Sequence, residues 1–413
     1  MLEDLYLTAR GWDRVRRSWL KGYVGGYFDR LASQGFKKST LSIYANRLLS
    51  FSEFLDRRGV CDVAELPRWV LPFIGQLDVG ESRAMNWRST LNGFLGHLVQ
   101  EKVLPVPQPL PPAFPHAELV GEYIQFLRQH RGNCREGVQY IRRACEALLR
   151  HLAIEGISEL STVGPEVIHR FITDQGKRFA RKTLASACSA IRGFLSHLDR
   201  RGLLSTDLAA AVVFPRIYKH ESCPRFLSRE EIEAILAAVD QQTSQGRRDY
   251  AMVLLLAVYG LRGIEVIHLR LEDIDWRNQR LHIRGRKAGN NSTYPLTVPV
   301  GEAILAYLRE GRPRSSHRQV FLAIAAPFPA LAYSGALARV VRKHMAIAQV
   351  QVARPGTHTF RYSCAQRLFD QGASLKLIGD YLGHRDLSTT ERYTKIAIEQ
   401  LRDVALGDGE DLL

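Results

Sequence analysis

The fold of this chain turns on Leu382-Gly383-His384 and, just beyond it, Thr389-Thr390-Glu391-Arg392-Tyr393. The first triplet reads as the end of a helix. Tyr393 follows His384 by nine residues. Working outward, His358-Thr-Phe-Arg361 sets two polar side chains at i, i+3 and opens a helix read over Phe360 to Phe369. Further back, Leu281-His-Ile-Arg and Thr293 to Val298 alternate like a short antiparallel hairpin. Its turn, Gly285-Arg-Lys-Ala-Gly-Asn-Asn, carries Lys287. Gly260-Leu261-Arg262-Gly263-Ile264-Glu265 follows the apolar run Ala251 to Tyr259, which reads as a core helix. Its spacing predicts Arg262 and Glu265 on one helical face.

Each piece alone has a bland meaning. A helical Arg–Glu pair is commonly a surface ion pair, a turn lysine is commonly just solvated, and a late tyrosine commonly packs. Together, and in this order, the segments resemble the catalytic domain of tyrosine recombinases and phage integrases. That family's pattern is an arginine in a G-L-R-x-x-E-like motif, a hairpin lysine, H-x-x-R, L-G-H and a tyrosine. The resemblance covers residues 222–405, with the expected residue type at every position.

By this resemblance, Arg262 and Arg361 clamp a scissile phosphate, where rigid bidentate cations suit the charge that builds on the non-bridging oxygens. His384 adds a hydrogen bond. Tyr393 attacks phosphorus, giving a 3′-phosphotyrosyl bond and a free 5′-hydroxyl. The new bond conserves the energy of the broken one, so no metal, ATP or other cofactor is expected. Lys287 is the candidate acid for the departing 5′-oxygen, and His358 the candidate acid/base at Tyr393. Glu265 would orient these cations from behind, although a plain ion pair explains it equally. Arg286 takes the place of Lys287 if the hairpin register shifts, but a guanidinium is a poor proton donor. The family also implies double-stranded recombination sites as partners. It implies a homotetramer on DNA or a mixed assembly with sister recombinases, in which the tail from Ala397 to Leu413 could be a swapped contact. The rivals are a strand-nicking topoisomerase and a DNA-binding relative that has lost catalysis. The short spacing from Lys287 to Tyr393 argues against the first. The intact set of six side chains argues against the second.

Upstream, the chain repeats itself. Gly93-Phe94-Leu95-Gly96-His97-Leu98 returns as Gly193-Phe194-Leu195-Ser196-His197-Leu198. Tyr44-Ala-Asn-Arg47, ahead of a helical pattern ending at Arg58-Gly59, is matched by Tyr140-Ile-Arg-Arg143 ahead of Glu155-Gly156. Pro105 to Pro115 is too proline-rich for a helix or inner strand and reads as a stiff linker. The expected fold is therefore multidomain and mainly α. An N-terminal helical module (1–104) and the linker (105–115) precede a SAM-like core-binding domain (116–215). A mixed α+β catalytic domain with a small antiparallel sheet (222–405) and a tail (406–413) follow. A capping box, Ser228-Arg-Glu-Glu231, starts the first helix of the last domain. The first module reads equally as a packing or oligomer contact and as a further DNA-contacting copy. For the latter, Arg47, Arg57, Arg58, Arg83 and Arg88 are the candidate phosphate contacts.

Composition agrees with a polyanionic partner. Fifty-seven Lys+Arg against 42 Asp+Glu leave a net charge of +15, spread along the chain. The six cysteines form neither a C-x-x-C pair nor a zinc-finger spacing, and read as reduced, mostly buried small hydrophobes of a cytoplasmic protein. No signal peptide or membrane-spanning stretch is read.

Overall fold

The apolar run Ala251 to Tyr259 does become a core helix. In a computed structural model, which describes residues 14, 17–106, 114–131, 135–217, 225–285 and 291–383, it lies within a helix spanning Ser244–Tyr259. Thr243 caps its start by accepting from the Gly246 N–H, and Gly260 ends it in the left-handed conformation. A Cβ on Gly260 would stand 2.8 Å from that of Cys364, so glycine is required there for both backbone and space.

Numbered along the described chain, the helices are α1 (Lys21–Ser33), α2 (Lys38–Asp56), α3 (Leu66–Gln76), α4 (Glu81–Gln100), α5 (Ala117–Arg131), α6 (Arg135–Ile154), α7 (Pro165–Arg178) and α8 (Arg181–Arg200). In the last region come α9 (Arg229–Ala237), α10 (Ser244–Tyr259), α11 (Gly263–His268), α12 (Val298–Glu310), α13 (Gly335–Ile347), α14 (Thr357–Asp370) and α15 (Leu375–Leu382). No described helix is long and apolar enough to cross a membrane.

Around α10, residues from α9, α11, α12, α13 and α14 close one core that includes Leu255, Ile267, Ile304, Val341 and Phe360. The Ser228 capping box forms as read, with the Ser228 hydroxyl on the Glu231 N–H and the Glu231 carboxylate on the Ser228 N–H. An adjacent pair of charges, Arg248 and Asp249, is buried here. Arg248 donates to Asp249 through Nε (3.0 Å) and Nη2 (2.7 Å) and to the Leu322 carbonyl through Nη1 (2.9 Å), while His344 Nε2 lies 3.4 Å from the other Asp249 oxygen. Burial opposes ionisation of Asp249, yet the His344 hydrogen bond and the Arg248 charge outweigh it and hold the carboxyl below its ordinary range. The small sheet runs β1 (Ile274–Asp275), β2 (Arg280–Ile283), β3 (Ser292–Pro295), all antiparallel, with Leu281 opposite Tyr294. β1 was not read from the sequence, being only two residues long. β3 also stops short of Val298: Thr297 is the N-cap of α12 and Pro299 fills its first turn, where a missing N–H costs nothing. A satellite cluster of Cys364, Ala365, Ile378 and Leu382 packs α15 on α14.

The N-terminal half contains one four-helix plan twice. Helices α1 to α4, with a single 3-10 turn at Val63–Glu65, reproduce α5 to α8, with theirs at Leu160–Thr162. The repeated Gly-Phe-Leu-x-His-Leu now has a physical meaning. A Cβ on Gly93 would meet the Tyr27 hydroxyl at 2.9 Å, and one on Gly193 the Tyr123 hydroxyl at 2.5 Å. Tyr27 packs on Phe94 and His97 with ring centroids 5.5 Å away, and Tyr123 on Phe194 and His197 at 5.4 and 5.1 Å. Each copy encloses its own core. The Tyr-x-x-Arg landmark, however, is one residue out of register. Buried Leu48, Phe51, Ser52 and Leu55 match Cys145, Leu148, Leu149 and Leu152, and the left-handed Gly59 matches Gly156. This register sets Tyr44 against Ile141.

The chain divides into two compact units, Met1–Val106 with Ser222–Leu413, and Pro107–Glu221. Most of the proline-rich linker (107–113) and of the joint before α9 (218–224) lies outside the described residues. Of the described cysteines, Cys145, Cys188 and Cys364 are buried, as expected for most of the set, and Cys61 is exposed.

Candidate active site

Arg262 lies in an extended conformation (φ −71°, ψ 145°) as the N-cap of α11, and not on the helix face that its spacing with Glu265 predicts. The reason is the left-handed turn at Gly260, which delays the next helix until Gly263. Glu265 still meets it. One carboxylate oxygen accepts from the Arg262 backbone N–H (2.8 Å) and the other from Nη1 (2.9 Å). The Glu265 side chain is 4% exposed, so it serves both as the cap of α11 and as the orienting partner of the guanidinium.

α14 begins at Thr357, three residues before the start read from the sequence, so His358 and Arg361 both stand on its first turns. Gly263 makes this close: a Cβ there would press on the Thr357 side chain at 3.2 Å, so the start of α11 lies against the start of α14. His358 is exposed, its ring 6.4 Å from that of Tyr362 one turn on. Arg361 is buried, 3% exposed, and donates from Nη1 to the Gly260 carbonyl (2.8 Å) and from Nη2 to the Leu382 carbonyl.

These arginines meet the end of α15. Gly383 caps that helix in the left-handed conformation (φ 66°), as the Leu-Gly-His triplet suggests, and its carbonyl accepts from Arg262 Nη2 at 2.8 Å. The Tyr381 carbonyl accepts from the hydroxyl of Tyr294, on β3. Three successive carbonyls, at Tyr381, Leu382 and Gly383, are thus held by β3, α14 and the cap of α11. A helix end leaves such groups without partners, and guanidinium donors also suit its negative pole. The next residue in the chain is His384. The structure brings together Arg262, Glu265, Arg361 and the backbone leading to His384. Lys287, His384 and Tyr393 lie outside the described residues, as does Arg286. The sequence reading missed Tyr294 and also Tyr259, whose hydroxyl donates to the Pro295 carbonyl (2.8 Å) and accepts from the Thr297 N–H (3.1 Å). Only their alternation and burial could have been read beforehand.

Comparison with known proteins gives this geometry its family. The phage integrase family matches residues 225–400. The integrase/recombinase y4rF of Sinorhizobium fredii (strain NBRC 101917 / NGR234) is 31% identical over 98% of this chain and 95% of its own. The tyrosine recombinase XerC of Mycobacterium leprae (strain TN) is 33% identical over 62% of this chain and 87% of its own. Among solved structures, XerH site-specific recombinase in a post-cleavage complex with palindromic difH substrate superposes with a TM-score of 0.56 at 16% identity, over 83% of this chain and 94% of the other. A lambda integrase (75–356) dimer bound to a COC′ core site gives 0.52 at 17% identity, over 67% and 94%. Both share the fold. The chain belongs to the phage integrase family and is a tyrosine site-specific recombinase.

Proposed function

We propose that the chain breaks and rejoins duplex DNA at specific sites through a covalent bond to Tyr393, serving the integration and excision of a mobile element. One observation carries this reading. Arg262 and Arg361, far apart in sequence, converge on the two carbonyls that immediately precede His384. In this reading Arg262 and Arg361 neutralise the non-bridging oxygens of the scissile phosphate, with His384 donating a further hydrogen bond. The Tyr393 oxygen bonds to phosphorus as the bond to the 5′-oxygen breaks. His358 assists removal of the tyrosine proton, and Lys287 delivers a proton to the leaving oxygen. Glu265 keeps Arg262 aimed.

Residues 222–405 form the catalytic domain in this proposal and 116–215 the core-binding domain. Residues 1–104 are a further copy of the latter, a reading supported by the repeated Tyr–Gly and Tyr–Phe–His packing, and in this proposal the copy adds DNA contacts. The working form is a tetramer on two DNA sites, acting in the cytoplasm at the nucleoid. Because the cations at phosphorus come from the protein, neither metal nor ATP is required.

The test is Tyr393→Phe on a nicked suicide duplex, resolved on a denaturing gel. The wild type should trap labelled DNA even in excess EDTA, while the variant should bind DNA without trapping it. Trapping by the Phe variant would displace Tyr393 from its role. Activity that EDTA removes and Mg²⁺ restores would point to metal-dependent chemistry instead.

A further inference from the structure

Lys287 and His384 sit on separate segments, yet both must reach one phosphate in the reading above. The described residues that flank them are joined by a side chain with no assigned role. Tyr294 is seven residues after Lys287, on the returning strand of the hairpin, and Tyr381 is three residues before His384. The Tyr294 hydroxyl donates to the Tyr381 carbonyl, and the two rings meet edge to face at 5.0 Å. Tyr294 is 4% exposed, so water does not supply a substitute donor for that carbonyl. On its other side its ring packs at 5.4 Å on Tyr259, which holds the foot of β3 through the Pro295 carbonyl. The strand therefore has two anchors of different kinds. Tyr259 ties it to α10, in the main core, whereas Tyr294 ties it to the end of α15.

We infer that Tyr294 is a positioning residue for strand cleavage, its hydroxyl registering the Lys287 hairpin against the backbone that leads into His384. This rests on Lys287 being the leaving-group acid. With the hydroxyl gone, the phosphate clamp keeps its own partners, since Arg262 and Arg361 bind different carbonyls. What goes is the placement of the proton donor. The defect therefore belongs to one chemical step, departure of the 5′-oxygen, and to neither DNA binding nor charge stabilisation at phosphorus.

The experiment uses the full chain and a nicked duplex recovered from a random-sequence library by covalent capture on the wild type. The duplex is made with an ordinary or a 5′-bridging sulfur linkage, because the sulfur leaves without a proton. Tyr294→Phe should bind this duplex with unchanged half-saturation. Its capture should be slowed on the order of tenfold, the rate equivalent of one hydrogen bond, and the sulfur linkage should restore it. Tyr259→Phe removes a comparable buried hydroxyl, the one by which α10 anchors the same strand, and should keep the wild-type rate. Lys287→Ala should be slowed and rescued like Tyr294→Phe, and Arg262→Ala slowed without rescue. A slow Tyr294→Phe that sulfur does not rescue, beside a rescued Lys287→Ala, overturns the inference and leaves the acid assignment standing. Equal slowing of Tyr259→Phe also overturns it, by exposing general loosening of the strand. Failure to rescue Lys287→Ala removes the acid assignment itself, and rescue of Arg286→Ala in its place moves that role one residue back.

Discussion

Arg262 donates through Nη2 to the carbonyl of Gly383, 121 residues further along the chain, while Glu265 holds its Nη1 and its own backbone N–H. One side chain therefore links the cap of α11 to the cap of α15. Its guanidinium is oriented from two sides, which is the preorganisation that the proposed charge stabilisation at phosphorus needs.

Glu265 is the sharper probe of that arrangement. Glu265→Gln keeps the shape but can offer an acceptor to only one of the two donors, leaving its NH₂ facing the other. Stability should fall by about 1–3 kcal/mol in urea unfolding, and covalent DNA capture should slow while DNA affinity is retained. An unchanged unfolding midpoint with full activity would reduce the pair to an incidental contact.

The two arginines should separate in stability measurements. Arg361 is 3% exposed and joins α14 to the turn at Gly260 and to the end of α15. The Arg262 side chain is 20% exposed. Arg361→Ala should therefore cost about 3 kcal/mol or more, and Arg262→Ala clearly less, though both should slow capture. Equal unfolding midpoints for the two variants would show that burial of Arg361 adds nothing.

In the first module, not all the arginines expected on phosphate are available. Arg47 donates to the Asn86 carbonyl (3.0 Å) and the Thr90 hydroxyl (2.7 Å) and lies 5.5 Å from the Trp87 ring centre. Arg58 covers Phe54 at 3.8 Å, and Arg57 returns to the Glu53 carbonyl. Arg83 and Arg88 are exposed and have no ion pair among the described residues. If this module touches DNA, Arg83→Ala with Arg88→Ala should flatten the salt dependence of binding, by about 0.9 in log–log slope for each phosphate left without its cation. A chain starting near residue 116 should give a shorter footprint. Unchanged slope and footprint would assign residues 1–104 to protein contacts. Arg47→Ala and Arg58→Ala should act chiefly on stability.

Acid should weaken the catalytic region through Asp249. Its folded pKa is below the ordinary 3.8, so the ionised carboxylate stabilises the fold fully above that value. That contribution is lost as pH falls through the depressed folded value. Asp249→Asn should cost about 3–5 kcal/mol near neutrality, because it leaves Arg248 buried without its counter-charge. The gap between the two proteins, followed by urea unfolding against pH, should close in strong acid. A gap that does not change with pH would exclude this linkage.

The order of motifs, the central helix at Ala251 to Tyr259, the Ser228 capping box and the duplicated modules were all legible in sequence. Each rests on local chemistry: burial period, capping, or the one glycine that lets a tyrosine approach. What escaped depends on distant partners. That Arg262 is a cap and not a helical residue follows from the turn at Gly260, and Gly260 is fixed by Cys364 across the core. The roles of Tyr294 and Tyr259 depend on carbonyls that no residue pattern marks. The Tyr44 and Tyr140 landmark misled because similar letters fell one residue apart in two helices whose buried faces define the true register.

The satellite cluster beneath α15 has a consequence for how the molecule breathes. Cys364, Ala365, Ile378 and Leu382 are its buried members, against the far larger core around α10. Amide protection should follow that difference, with the protons of 378–382 exchanging through local opening and those of 252–256 only on global unfolding. Each opening would take the carbonyls of α15 and its cap from Arg262, Arg361 and Tyr294 in one event, leaving Arg361 only its bond to Gly260. In the proposed function, the arginine clamp and the approach to His384 would then be lost together, so the free energy of this small cooperative unit would set the fraction of molecules armed at any moment.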